Sequence, residues 1–196
     1  LGRWSTESLR RLAAQALAAA GTGAAQDQHA LSPVQVEPAL QARPTLSAEQ
    51  TEAVRYLCEQ SGAVALVEGM AGAGKSFLLD TAREAWTAAG YQVVGAALSG
   101  QAALGLQESA HIPSATLHAR LQEWAQPGAL DAKTVVVVDE AGMVDSRKMA
   151  ALIEATQTAG AKLVLVGDHR QLQPIEAGGL FRALTERIET ANLSEI

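Results

Sequence analysis

The sequence predicts an α/β fold in which helices cover both faces of a parallel sheet. Short apolar runs at residues 63–67, 135–138 and 163–166 are continuous rather than alternating with polar residues, as expected of strands that are buried on both faces. Segments with helical apolar spacing separate these runs, and this alternation favours parallel strand connections. With 196 residues, of which 48% are hydrophobic, the chain is long enough to bury one sizeable core.

The first 43 residues are predicted to form a helical lead-in or linker. Residues 5–20 are rich in Leu and Ala and predict a helix, whereas the Gly-, Ala- and Gln-rich residues 21–31 predict a mobile loop. A Ser-Pro pair at 32–33 is typical of a helix start, with Ser at the N-cap and Pro at the first helical position. Residues 44–196 would then form the main domain.

The main domain begins with a capping box, because Ser47 is followed three residues later by Gln50. Helices are predicted to follow the strands in a regular alternation. The predicted elements, in order, are a helix from 47 to about 60, a strand at 63–67, a helix at 76–89 before Gly90, a strand at 91–98, helices at 99–108 and 115–124 on either side of Pro113, a strand at 135–138, a helix at 145–159 before Gly160 and a strand at 162–166.

Composition limits the classes of protein to which the chain can belong. A single cysteine, Cys58, excludes a disulfide framework and suits a reducing cytoplasm. The sequence shows no apolar run of bilayer length and no secretory signal, so we expect a cytoplasmic protein without membrane insertion. The net charge of −6 is unlike that of a basic protein that coats nucleic acid, but a local cationic groove remains compatible with it.

Residues 69–76 match the phosphate-binding pattern G-x-x-x-x-G-K-[ST]. Glycines let several backbone N–H groups converge on phosphate oxygens, Lys75 reaches the β- and γ-phosphates, and Ser76 can hold Mg²⁺. The alternative is a flexible Gly/Ala linker, but the motif lies between a predicted strand and a predicted helix, as a phosphate loop requires. The sequence therefore predicts a nucleoside triphosphate site with ATP and Mg²⁺ as ligands.

Two carboxylates, Asp139 and Glu140, directly follow the tetravaline run at 135–138. The carboxyl end of a buried parallel strand faces the crevice where α/β folds bind ligands. Asp139 is suited to hold Mg²⁺, and Glu140 is suited to accept a proton from the attacking water. An Asp-Glu pair can also simply begin a helix, although the upstream phosphate loop favours catalysis.

A third polar cluster, residues 167–174, follows the apolar run at 163–166. A glutamine at this position, Gln171, can hydrogen-bond the γ-phosphate or the attacking water. Alone, Gly-Asp-x-x-Gln is a weak signal that also fits an ordinary turn. After the first two motifs it becomes the most discriminating one in the chain.

The ordered set of motifs resembles the first RecA-like ATPase domain of superfamily 1 DNA helicases on the RecD-like branch. More narrowly, it is similar to the helicase portion of TraA-type conjugative relaxase/helicases, and the resemblance covers about residues 44–192. It implies a P-loop NTPase fold and 5′-to-3′ helicase or translocase activity on single-stranded DNA during plasmid transfer. The segments that carry it are residues 46–50, 69–76, 99–103, 116–118, 139–141 and 167–174.

The resemblance implies further site residues. Gln50 corresponds to a glutamine that contacts adenine, although its side chain also fits a capping box. Ser99, Gln101, Thr116 and His118 correspond to contacts with single-stranded DNA, although a helix cap at Ser99 and a packed or exposed histidine at His118 are the simpler roles. The implied nucleotide-binding set is Gln50, Gly69, Met70, Ala71, Gly72, Ala73, Gly74, Lys75, Ser76 and Phe77.

The chain ends at Ile196, where relatives enter a second RecA-like domain. In the family that domain supplies arginine fingers, so we expect this piece to bind nucleotide and to hydrolyse it slowly. A relaxase domain of the same protein and transfer-complex proteins are further expected partners. A nucleotide-dependent recruitment or loading module and a P-loop kinase are the alternative functions. The chain offers no arginine-rich lid for a kinase, and Glu140 beside Asp139 favours water as the phosphoryl acceptor.

Overall fold

The computed structural model describes residues 6–168 and 179–194. Within these ranges, six strands form one sheet in the order β3-β2-β4-β5-β1-β6, and all neighbouring strands are parallel. The strands are β1 (Val64–Gly69), β2 (Gln92–Ala97), β3 (Ser114–Thr116), β4 (Thr134–Val138), β5 (Lys162–Gly167) and β6 (Thr190–Leu193). The helices are α1 (Thr6–Ala24), α2 (Pro33–Gln41), α3 (Ala48–Arg55), α4 (Lys75–Ala88), α5 (Gly100–Ala110), α6 (Leu117–Trp124), α7 (Ser146–Ala159) and α8 (Gly179–Thr185). A π-helical turn (Tyr56–Gln60) continues α3, and a 3₁₀ turn (Ala141–Met143) follows β4.

The central strands are buried on both faces, as the continuous apolar runs predict. Along β4, Val135 and Val137 pack into one core, and Val136 and Val138 pack into the other. The first core lies beneath α2, α3, α4 and α5, and the second lies beneath α1, α7 and α8. The predicted α/β fold of the P-loop NTPase type, with a parallel sheet between two helical layers, is confirmed.

The predicted loop at residues 21–31 is wrong at its start, because α1 continues to Ala24. Gly23 is buried inside this helix. A Cβ added there would lie 2.9 Å from Cγ2 of Val64 and 3.1 Å from Nε2 of Gln157. The glycine thus allows α1 to pack closely against β1 and α7, rather than breaking the helix.

Three further elements differ from the prediction. The helix expected from residue 115 begins at Leu117, because residues 114–116 form the short edge strand β3 beside β2. This strand is too short to show a periodic pattern, and Gly95 of β2 leaves room for it, since an added Cβ would lie 2.2 Å from the Ser114 Oγ. The elements α8 and β6 were not predicted. β6 extends the sheet beyond β1.

The lead-in packs onto both layers of the domain. α1 lies against α7, and α2 lies against α4. Leu31, Val36 and Leu40 belong to the same core as α4. The boundary near residue 43 stays a prediction, but α1 and α2 are integral to the packing. In the described parts of the chain, no helix combines the length and apolar character that a bilayer span needs.

Candidate functional site

The phosphate loop connects β1 to α4 at the carboxyl edge of the sheet. Gly72 and Gly74 have φ values of 85° and 75°, in the left-handed region that favours glycine. The Ala73 N–H donates to the Met70 carbonyl at 3.1 Å and closes the turn. An added Cβ on Gly72 would meet nothing within 4 Å, so there is open space beside the loop at this residue.

Lys75 begins α4, and its side chain folds back over the loop. Its Nζ donates to the Gly69 carbonyl at 2.5 Å and to the Met70 carbonyl at 3.2 Å. In the described chain no carboxylate lies within 4.0 Å of this ammonium. The charge is therefore held by neutral carbonyls, which an anionic phosphate can replace with a stronger, charge-assisted contact.

Asp139 lies at the carboxyl end of β4, on the same sheet edge as the loop. Only β5 separates β4 from β1, so the two strand ends are roughly 10 Å apart at normal strand spacing. The Asp139 N–H donates to the Ala96 carbonyl at 3.1 Å, and the Asp139 Oδ1 accepts the Glu140 N–H at 2.8 Å. The sheet thus holds this carboxylate opposite the phosphate loop.

Glu140 adopts φ 52° and is exposed. A left-handed backbone at a residue with a side chain costs about 1–2 kcal/mol, and such outliers cluster at functional sites. This turn lets Glu140 leave the strand direction immediately after Asp139. The two adjacent carboxylates therefore have different surroundings, since Asp139 is half-buried and Glu140 is open to solvent.

The oxygen donors at this edge fit Mg²⁺. The Ser76 hydroxyl and the Asp139 carboxylate are hard oxygen ligands, and Mg²⁺ usually takes one or two protein ligands together with phosphate oxygens and water. Among the described residues, no group of three or more His, Cys, Asp or Glu is arranged so that it could hold a metal ion. These two oxygens suit a metal that shares its coordination with a bound nucleotide.

Gln50 forms the predicted capping box and also contacts the phosphate loop. Its Oε1 accepts the Ser47 N–H at 2.9 Å, and its backbone N–H donates to the Ser47 Oγ at 3.1 Å. The Nε2 donates to the Gly74 carbonyl at 3.3 Å, and a Cβ on Gly74 would lie only 2.0 Å from that nitrogen. The capping role is confirmed, while contact with adenine stays a prediction.

The third predicted cluster is only partly described. Gly167 ends β5, between the phosphate loop and Asp139, and Asp168 is half-buried beside it. Gln171 and the rest of the cluster through residue 174 lie outside the described residues.

The four predicted DNA contacts lie at the β2–β3 end of the same edge. The Ser99 Oγ caps α5 and the Thr116 Oγ1 caps α6, each accepting the N–H three residues on, at 3.1 and 3.2 Å. Gln101 and His118 are exposed. The capping role of Ser99 is confirmed and that of Thr116 was not predicted. DNA contact stays a prediction for all four.

An ionic cluster that the sequence did not reveal joins the lead-in to α4. Arg43 donates to Asp80 at 2.6 Å and to both oxygens of Glu84 at 2.6 and 2.9 Å. Its guanidinium carbon lies 5.9 Å from the ring centroid of Phe77. Burial opposes ionisation of Asp80, but hydrogen bonds from Arg83 and Arg43 outweigh it and hold its pKa below the usual range. No local pattern marks Arg43, because its partners lie 37 and 41 residues away.

Several known proteins are similar to this chain in sequence. A family model described as an AAA domain matches residues 45–196. The chain is 46% identical over 195 residues to "Probable conjugal transfer protein TraA" of Sinorhizobium fredii and 45% identical over 195 residues to "Conjugal transfer protein TraA" of Agrobacterium fabrum. Each match covers 99% of this chain and 18% of the relative. The ATP-dependent RecD2 DNA helicase of Deinococcus radiodurans is 29% identical over 163 residues, covering 79% of this chain and 22% of that protein. The chain thus spans about a fifth of the length of these relatives.

Proposed function

The chain belongs to the AAA domain family, and from this premise we propose that it is the ATP-binding motor domain of a DNA helicase or translocase that acts in conjugative plasmid transfer. The observation that carries the proposal is the shared sheet edge. The phosphate loop after β1 and the Asp139–Glu140 pair after β4 lie two strands apart at the carboxyl edge of one parallel sheet. The similarity to TraA proteins and to a RecD2 helicase supports DNA, rather than another ligand, as the molecule on which the motor acts.

We assign the roles of the residues as follows. Lys75 leaves the Gly69 and Met70 carbonyls and binds the β- and γ-phosphates of ATP. Ser76 and Asp139 would hold Mg²⁺, which would supply positive charge beside the phosphate oxygens. Glu140 accepts the proton of the attacking water, and Gln171 orients that water.

Gln50 contacts the adenine edge from its position beside Gly74. The exposed side chains at the β2–β3 end, Gln101 and His118, contact single-stranded DNA together with Ser99 and Thr116. We propose 5′-to-3′ movement, in keeping with the RecD-like branch. A second motor domain closes the nucleotide cleft and supplies arginine fingers, so the 196-residue chain alone hydrolyses ATP slowly.

Two substitutions test the assigned roles. Binding of a fluorescent ATP analogue to the 196-residue chain should be lost or severely weakened by Lys75→Ala. Glu140→Gln should retain binding, because Glu140 is exposed and serves proton transfer only. Equal loss of binding in both variants would contradict the assignment.

ATP turnover by the full-length protein, with and without single-stranded DNA, tests the motor. We expect DNA to stimulate turnover and Glu140→Gln to abolish it while DNA binding remains. Turnover that is indifferent to DNA would refute the motor function. Binding of a transfer-complex protein that survives Lys75→Ala would instead favour the recruitment alternative.

A further inference from the structure

The C-terminal end of α5 contacts the first turns of α4 at two points. Ser109, in the last turn of α5, has its Oγ 3.1 Å from the Oγ of Ser76. His111 ends α5 in the left-handed conformation, with φ 56°, and its Nδ1 lies 3.2 Å from the Oδ1 of Asp80. Asp80 is one helical turn beyond Ser76 on α4. The second contact therefore fixes the position of the helix end that carries Ser109.

The direction of the Ser76–Ser109 hydrogen bond follows from the number of hydroxyl protons. A serine hydroxyl has one proton to donate and two lone pairs with which to accept. The Ser109 Oγ lies 2.7 Å from the Gly105 carbonyl, which can only accept, so the Ser109 proton belongs to that bond. The proton between the two serines must then come from Ser76, and Ser109 accepts it.

This direction matters for metal binding. A hydroxyl that ligates a cation must direct a lone pair at the metal and its proton elsewhere. With its proton donated to Ser109, the Ser76 oxygen keeps its lone pairs free, and its rotamer is fixed from the side of α5.

On this basis we propose that Ser109 is a positioning residue for Mg²⁺: it accepts the Ser76 hydroxyl proton and thereby prepares the Ser76 oxygen for coordination. The inference rests on the proposed function, because it assumes that Ser76 ligates Mg²⁺ beside a bound nucleotide. Ser109 itself is exposed and touches neither the metal nor the nucleotide in this role.

The test is an MgCl₂ titration of the 196-residue chain with a fluorescent ATP analogue, together with a measurement of nucleotide affinity in EDTA. A neutral hydrogen bond contributes modestly, so Ser109→Ala should raise the half-saturating MgCl₂ concentration by about two- to fivefold. Nucleotide affinity in EDTA should not change, because the phosphate contacts of the loop are unaffected. Ala favours helices more than Ser does, so the substitution should not unfold α5.

Ser109→Thr is the matched control, because it keeps the hydroxyl at an exposed position. It should restore the wild-type Mg²⁺ dependence. Identical MgCl₂ curves for wild type and Ser109→Ala, or an equal defect in the Ala and Thr variants, would overturn the role of Ser109 while leaving the proposed function intact. A loss of affinity in EDTA with Ser109→Ala would show a structural role and overturn it as well. If the wild-type chain binds no nucleotide even with MgCl₂, both the inference and the proposed function fail.

Discussion

Gly74→Ala should destabilise the domain more than Gly72→Ala does, although both glycines have left-handed backbones. The φ values are 75° at Gly74 and 85° at Gly72, so an alanine bears a similar backbone cost of about 1–2 kcal/mol at either position. The two positions differ only in the atoms that an added Cβ would contact. A Cβ on Gly74 would lie 2.0 Å from the Nε2 of Gln50, whereas a Cβ on Gly72 meets nothing within 4 Å.

The difference in stability between the two variants comes from the hydrogen bonds of Gln50. The new methyl group must push this amide aside, which breaks its bond to the Gly74 carbonyl and its capping bond to the Ser47 N–H. The side chain is half-buried, and water replaces part of what is lost. These two bonds together contribute about 1–2 kcal/mol. Gly72→Ala should therefore lower the free energy of unfolding by about 1–2 kcal/mol, and Gly74→Ala by about 2–4 kcal/mol.

Urea unfolding, followed by circular dichroism, measures both values. The same two alanines introduced into a Gln50→Ala background complete the comparison, because the amide is then absent and the two costs should become equal. Equal costs in the wild-type background would show that Gln50 does not press against Gly74. An excess cost that persists without Gln50 would place the conflict elsewhere in the loop.

Two further predictions concern charges away from the phosphate loop. Lys162 is fully buried, its Nζ donates to Ser61 and to the Gly62 carbonyl, and burial lowers its pKa to about 8. The unfolded chain then binds more protons than the folded chain between about pH 8 and 10.5, so stability rises with pH in this window. In urea unfolding from pH 7 to pH 9, the free energy of unfolding of the wild type should rise by about 1 kcal/mol relative to that of Lys162→Met. A difference between the two proteins that stays constant with pH would contradict the lowered pKa of Lys162. Arg43→Met should lower the free energy of unfolding by about 1–2 kcal/mol, because the Asp80 and Glu84 carboxylates lose one of the two guanidinium groups that they share and keep Arg83. Arg11→Met is its control: Arg11 pairs with Glu7 at 3.8 Å with 72% of its side chain exposed, and its loss should change stability by less than about 0.5 kcal/mol. Similar effects of the two arginine substitutions would mean that the Arg43 cluster does not stabilise the domain.

The fold could be predicted from the sequence because the central strands are continuous apolar runs, which indicate burial on both faces. The tetravaline run of β4 and the apolar runs of β1 and β5 can be buried only between two helical layers. The phosphate loop was predictable for a similar reason, since its glycines and Lys75 act through local backbone geometry. The place of Asp139 at the site could be predicted because this residue directly follows a buried strand, and parallel strands end at a common edge of the sheet. The resemblance to RecD-like and TraA-type proteins is confirmed by the sequence comparisons.

The parts that were missed depend on contacts between distant residues. Gly23 lies in the segment predicted as a loop, but it belongs to α1 and packs against Val64 and Gln157. The strand β3 has no pattern of its own and exists because β2 offers an edge. Ser109 contacts Ser76, which lies 33 residues earlier in the chain, and no local sequence pattern around either serine predicts the contact. The capping box at Ser47 was predictable, but its extension to Gly74 through the spare amide proton of Gln50 was not.

The position of β1 in the sheet has a consequence for the order in which the chain folds. β1 leads directly into the phosphate loop, yet its two neighbours, β5 and β6, come from the C-terminal part of the chain. The pairing continues to Gly69 opposite Leu193, where an added glycine Cβ would lie 3.0 Å from the leucine Cβ. Such non-local pairing is slow to form, because a long loop must close before any contact stabilises it. During synthesis β1 therefore cannot acquire both of its neighbours until residue 193 has left the ribosome, and until then at least one edge of β1 is unpaired and open to other chains and to chaperones.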